Sequence, residues 1–429
     1  MLQIKQEIRQ FRQKVYQCFE RSRDAAFEVI DAIALSPNAR AAVEISQNGA
    51  MKRGYASVYK AIERLKYDAD GLRLELLQQG QEHGTLEVAG WPVYCLDHTP
   101  YPRRNAKTVT DRGYVHGADG QTIGHQYSLI GRVMHAEGSW VGPHECVRIP
   151  TASTPTMIGA EQLARLKADL LRPCIVTADS EYSVRAILQQ ASPNLHLLLR
   201  LRGNRVLYRQ APPHADGQLE RRKKHGAALK LSAPLPYADD MRTVFGPEGG
   251  FARIDIRVFK NVHVAQCPDV NGHAIKVNVY DTQGRKRFKR PLWLFWTGPA
   301  DLDWRSFWRT YLFRFMVECV HQFSKNDLSW TAARLGYTER EERWSMLVML
   351  AYWQLLLALP MARDAFMPWQ KPQQLGRPLT PKRVQRDYWR IWQEIGTPAA
   401  PPKPRGYSPG RPHGFKPAPR PRYRVVYKS

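Results

Sequence analysis

The chain is predicted to be an α/β protein. It should hold a mixed sheet with flanking helices, an N-terminal helical region, a β-rich insertion and a disordered basic tail. Three observations predict this. The apolar period is helical up to about residue 85 and strand-like after it. Between 86 and 202 the order reads three strands, helix, strand, helix, strand. Two of those strands end in an aspartate, Asp97 and Asp179, and ligand-handling groups of open sheets gather at such carboxyl ends.

Residues 1–85 repeat Ile4, Ile8, Phe11, Val15 and Phe19 at intervals of three and four, with Lys and Arg between them. A second amphipathic stretch, Tyr55 to Leu77, carries Lys60, Arg64 and Lys66. The region is a candidate DNA-binding module or a bundle that only packs on the rest. From Leu86, TLEVAGWPVYCLDHTP predicts a strand ending at Asp97, and YSLIGRVMHAEG and SWVGPHECVRIP predict two more. Ala160–Leu171 is an amphipathic helix, CIVTADSEYS a strand ending at Asp179, Ser183–Gln190 a helix and LHLLLRLRGN a further strand.

Residues 203–300 alternate Gly, Pro and charge runs with ARIDIRVF, IKVNVYD and PLWLFWTG, which reads as the β-rich insertion. Residues 301–365 then hold the Tyr311–Lys325 helix, a second helix around Ala332–Leu335 and an apolar helix ending at Pro360. Residues 366–429 are rich in Pro, Arg and Lys and carry no acid after Glu394. By composition that segment is expected to be mostly disordered.

Lys and Arg outnumber Asp and Glu 64 to 39, a formal net charge of +25, which favours a polyanionic partner. The six cysteines form no CxxC or Cys/His ligand spacing, so neither structural zinc nor a disulfide framework is expected. Met346–Leu359 falls short of the roughly 18–20 apolar residues that span a bilayer and is broken by Gln354. The N-terminus lacks the apolar core of a signal peptide. A cytoplasmic protein without membrane contact is the expectation.

The chemistry concentrates in YLFRFMVECVHQFSK. At roughly 100° per residue, Tyr311, Arg314, Glu318 and Lys325 fall within about a 60° arc of one helix. Two cations and an anion on one stripe do not suit an apolar core, because burying unpaired charge is costly. Singly, Asp97 could cap a turn, Asp179 could cap a helix and Glu318 could pair with Arg314. Together they form a set of hard oxygen donors for two Mg²⁺ ions, the pairing that suits phosphodiester cleavage. Asp97 would bridge both ions, and Asp179 and Glu318 would each complete one shell. Glu181 and Asp111 are weaker candidates, one past the strand end and one in a polar loop.

Tyr311, Arg314, Glu318 and Lys325 match a Y-x2-R-x3-E-x6-K signature. On it, and on the sheet order before it, residues of about 86 to 360 resemble the DDE transposases of bacterial insertion sequences. The resemblance implies a ribonuclease H-like catalytic domain split between 86–202 and 301–365. It implies a triad of Asp97, Asp179 and Glu318 holding two Mg²⁺ ions, with Mn²⁺ able to substitute. Tyr311, Arg314 and Lys325 would contact phosphates of double-stranded DNA at transposon ends, and a homodimer would act on paired ends and on target DNA. Arg103, Arg104 and Lys107 form a basic loop after Asp97 that could grip the DNA backbone or be only a solvated charged loop, and Arg221, Arg222, Lys223 and Lys224 are the densest basic run. Trp293 and Trp296 are either core residues, the commoner role of such Trp, or candidates for stacking an unpaired base. The alternatives are a transposase-derived DNA-binding protein without cleavage activity and another ribonuclease H-like nuclease.

Overall fold

The computed structural model describes residues 2–117, 120–213, 223–246, 251–372, 376–404 and 410–427. The N-terminal region forms α1 (Leu2–Gln17), β1 (Phe19–Arg21), α2 (Arg23–Ala34), α3 (Ala42–Ile45), α4 (Ala56–Arg64), β2 (Lys66–Tyr67) and α5 (Ala69–His83). The apolar stripe read from the sequence is the buried face of α1: Ile8, Phe11 and Val15 are all inside.

The sheet begins with β3 (Glu87–Val88), β4 (Trp91–Pro102), β5 (Gly113–Gly117), β6 (Gly120–Val133) and β7 (Val141–Ile149). Next come α6 (Pro155–Asp169), β8 (Cys174–Ala178), α7 (Arg185–Leu188) and β9 (Leu195–Leu201). Side by side the strands run β7-β6-β4-β8-β9. The first three are antiparallel, while β4 with β8 and β8 with β9 are parallel. Parallel neighbours need crossovers, and α6 and α7 supply them. This is the expected ribonuclease H-like arrangement, with two strands more than expected: β5, paired to β6, and the two-residue β3, paired to β4.

The expected end of β4 at Asp97 is corrected. The strand stays paired to β6 as far as Pro102 opposite Gly124. Only its parallel pairing with β8 stops at Leu96, so the aspartate follows the end of one ladder while the other continues.

The insertion forms β10 (Val206–Arg209), β11 (Ala228–Lys230), β12 (Asp240–Phe245), β13 (Arg253–Val264), β14 (Cys267–Tyr280) and β15 (Leu292–Trp296). Since β15 pairs antiparallel with β9, these strands extend the same sheet, to thirteen strands among the described residues. Trp293 and Trp296 are 2% and 0% exposed, and the Trp296 indole N–H donates to Pro299 O at 2.8 Å. Both are core residues, so base stacking is excluded for this conformation. Arg221 and Arg222 lie outside the described residues; Lys223 and Lys224 are exposed.

After the insertion come α8 (Trp304–Phe307), a 3₁₀ stretch Trp308–Arg314, α9 (Phe315–Asn326) and α10 (Thr338–Ala358). The helix expected at 332–335 is absent; Ala333 and Leu335 are buried within a turn region. Thr338–Met361 is long and apolar enough to cross a membrane, but 83% of its apolar window is buried inside the protein. It packs against α2, β7 and the last helix, α11 (Pro381–Ile395), as a core helix.

That last helix corrects the expectation of a mostly disordered tail. Val384, Tyr388, Ile391 and Ile395 recur at four, three and four and are buried against α1 and α10. The Pro- and Arg-rich average of the whole tail conceals this short stripe. A buried ion pair ties it in: Arg12 bonds both Asp31 oxygens, at 2.7 and 2.9 Å. Gln354 joins them from α10, and the Tyr388 hydroxyl from α11 donates to Gln354 Oε1 at 2.5 Å.

Candidate active site

Alternation along the strands separates two cores. Val93 and Cys95 of β4, Ile175 of β8 and Leu198 of β9 face the helical layer built on α1, α2 and α10. Tyr94, Leu96, Val176, Ala178 and Leu199 face α6 and α7. Leu96 is opposite Ala178, and Ala178 opposite Leu199. One residue further along each strand come Asp97, Asp179 and Arg200. With a side-chain period of two, that row turns to the face of Cys95 and Leu198. Three charged groups just past the last pairs of the two parallel ladders thus form one row.

The 3₁₀ stretch Trp308–Arg314 lies on β4, β8 and β9. The expected single α-helix is therefore divided, with Tyr311 and Arg314 on the tighter turn and Glu318 and Lys325 on α9. Because residues three apart eclipse in a 3₁₀ turn, Tyr311 and Arg314 still project together. The Tyr311 hydroxyl donates to Asp179 Oδ1 at a long 3.4 Å. Arg314 Nη1 stands 3.5 Å from Asp97 Oδ2, and Arg314 Nη2 donates to Glu318 Oε1 at 2.9 Å. Lys325 Nζ donates to Thr99 Oγ1 at 2.6 Å, two residues along β4 from Asp97 and on its face. Tyr311 and Arg314 thus meet the aspartates directly, Glu318 is joined to them through Arg314, and Lys325 stands beside them at Thr99.

Burial sets the electrostatics. It pushes the Asp97 carboxyl above its ordinary pKa, with Arg314 and His98 opposing and Glu318 adding to the rise. It pulls the Lys325 ammonium down to about 8, against the attraction of Asp97. It pushes the Tyr311 phenol up to about 12. Burial also works against the Arg314 cation, yet Tyr311, Asp97, Asp179 and Glu318 together hold it above its usual value. Arg314 Nε is buried with no hydrogen-bond partner among the described residues, a donor that a further acceptor would satisfy.

Arg103, Arg104 and Lys107 do not sit beside the acids. Because β4 runs on to Pro102, five residues at about 3.4 Å each put this loop some 17 Å along the strand. Arg103 also faces inward. Its Nε donates to Glu341 at 2.6 Å, and its other nitrogens donate to the carbonyls of Thr331 and Ala333 at 2.8 and 3.0 Å. It is a core residue, and its assignment as a backbone grip is corrected. Arg104 and Lys107 are exposed. Asp111 is paired with Arg148 and Thr151, and Glu181 lies 3.9 Å from His98.

Two contributors escaped the sequence reading. Arg200, 3.7 Å from Asp179, was signalled as the lone cation in an apolar strand, LHLLLRL. Thr99 was signalled by the two-residue period from Asp97. Neither signal names a partner without the strand order.

Three carboxylates are the oxygen donors that suit a hard divalent cation, but in this conformation Arg314 occupies the space between two of them, Asp97 and Glu318, and its orphaned Nε calls for an acceptor such as a phosphate oxygen. The carboxylates do not close on one point. Among the described residues no three His, Cys, Asp or Glu side chains stand close enough together to hold a metal ion. Glu318, with its side chain 54% exposed, is held by Arg314.

Comparison with known proteins gives two family matches. A family model described as DDE superfamily endonuclease matches residues 14–243, and one described as Transposase DDE domain matches residues 142–354. The first spans Asp97 and Asp179, the second Asp179 and the whole Tyr311–Lys325 segment. No curated protein matches the chain.

Proposed function

The chain belongs to the DDE superfamily of endonucleases, and from that premise we propose that it is a DNA transposase that cleaves transposon ends and joins them to target DNA. The observation that carries this is the row of Asp97 and Asp179 on adjacent strands, with Glu318 linked to it through Arg314. Asp97, Asp179 and Glu318 would hold Mg²⁺, or Mn²⁺ in its place; when bound, such ions activate an attacking oxygen and offset charge on the leaving one.

The other residues act on the phosphate. Arg314 offers a buried, unpartnered Nε, which a phosphate oxygen satisfies with a charge-assisted bond. Tyr311, pushed up to about 12, stays protonated at neutral pH and donates. Lys325 adds positive charge from the Thr99 side. In the first reaction water bonds to phosphorus as the bond to the 3′ oxygen breaks, which frees a 3′ hydroxyl at the element end. In the second, that hydroxyl attacks a target phosphate and displaces another 3′ oxygen. The substrates are double-stranded DNA at the element ends and in the target, and a homodimer would pair the ends.

Asp97→Asn and Glu318→Gln are expected to abolish cleavage with Mg²⁺ while DNA binding stays within a few-fold. Cutting at the parent rate by either variant overturns the assignment. A second reading, DNA binding without cleavage, draws on the Arg314–Glu318 pair that holds the third acid away. Cleavage of element ends by the unaltered protein excludes it.

A further inference from the structure

Beyond the acids, a groove of about 700 Å³ collects arginines from four distant parts of the chain. Arg40 follows α2, Arg104 follows β4, Arg334 lies between α9 and α10, and Arg420 comes from the C-terminal segment. All four are exposed, and none forms an ion pair among the described residues. No carboxylate lines the groove. Arg103 belongs to its wall, but Glu341 already neutralises it.

Arg420 is not a loose tail charge. The Tyr423 N–H donates to Lys107 O at 2.8 Å and the Val426 N–H to Arg112 O at 2.7 Å. Arg112 Nη2 donates to Tyr423 O at 3.1 Å, and Tyr427 packs on Tyr114 with ring centroids 5.5 Å apart. The Arg420 guanidinium then lies 5.6 Å from the Tyr337 ring centroid. The end of the chain is strapped to the loop after β4 and delivers its arginine to the groove.

Four unpaired guanidiniums at one concavity repel each other, and a polyanion relieves that repulsion. Arginine forks match phosphate oxygens in pairs. The loop bearing Arg104 begins about 17 Å along β4 from Asp97. That corresponds to about five nucleotide steps of a duplex, at about 3.4 Å per step.

We propose that this groove binds the phosphate backbone of duplex DNA about five base pairs from the reacting phosphate, with Arg420 supplied by the strapped C-terminal segment. The register rests on the transposase reading; the affinity for duplex DNA does not. The test is a binding titration of the full chain without divalent ions, using a 30-base-pair duplex carrying the element end, across a salt series. Arg334→Ala and Arg420→Ala should each make the fall of log K with log salt shallower by about 0.9, and Arg334→Lys should restore most of it. Tyr423→Pro removes an N–H from the strap without changing charge, and should reproduce the Arg420→Ala loss. On duplexes that end within about five base pairs of the cut site on either side, the variants should match the parent protein.

Unchanged slopes in correctly melting variants overturn the proposal, as does an RNA duplex that binds more tightly than DNA through the same four residues. Its failure is separable from that of the transposase reading. Slopes that become shallower while Asp97→Asn still cuts sink only the cleavage assignment. Unchanged slopes beside an inactive Asp97→Asn sink only the groove.

Discussion

Arg314 Nη1 lies 3.5 Å from Asp97 Oδ2, so the cation of the signature segment neutralises the first aspartate of the sheet. Removing it leaves a largely buried carboxylate whose pKa is already raised by burial. Arg314→Ala should therefore cost about 3–5 kcal/mol at pH 7. An acid with a raised folded pKa binds its proton more tightly when folded, so stability falls as pH rises through that window. The loss should be smaller at pH 5 than at pH 7. Thermal melts of metal-free protein at the two pH values check this, and equal losses contradict it.

Lys325, drawn down to about 8 by burial, faces Asp97, Thr99 and the neutral ring of His321. Its ammonium is charged below that value and neutral above it. In chelator, affinity for duplex DNA should fall as pH rises through about 8. Lys325→Arg should flatten the profile to beyond pH 9, because arginine stays charged. Stability runs the other way. The unfolded lysine keeps its proton up to about 10.4, so folding is favoured as pH rises from about 8 to that value. Fluorescence anisotropy and melting curves over pH 7–10 measure the two.

Arg103 and Arg104 are neighbours with opposite fates. Arg103→Ala breaks a buried ion pair with Glu341 and leaves two carbonyls without their donor. It should cost about 3–5 kcal/mol and leave the salt slope of DNA binding unchanged. Arg104→Ala should leave stability within about 0.5 kcal/mol and make that slope shallower. Denaturant titration beside the salt series separates them.

The last helix makes a prediction of its own. Deleting residues 381–429 uncovers the partners of Val384, Tyr388, Ile391 and Ile395 and opens the Arg12–Asp31 pair to solvent. A clear drop in the denaturation midpoint is expected. Tyr388→Phe, which removes one hydrogen bond to Gln354, should cost about 1 kcal/mol. An unchanged midpoint after the deletion would mean that the tail contributes nothing to the fold.

Much of the fold could be read because it rests on local period. The alternation of LDHTP and the apolar run of CIVTA place Asp97 and Asp179 at strand positions, and intervals of three, four and seven put four polar groups on one side of a segment. What escaped was long-range or masked by composition: the α11 stripe within a Pro-rich tail and the inward turn of Arg103.

The sequence alone determined the α/β class, the basic charge and the acids and cations that share a face, because each follows from neighbours a few residues apart. Tertiary structure alone decided that Arg200 stands beside Asp179, that Glu341 claims Arg103 and that Arg420 reaches a groove with Arg40. Those pairs are separated by tens to hundreds of residues. A strand's period tells which way a side chain points, but only the order and register of the sheet tell what it meets.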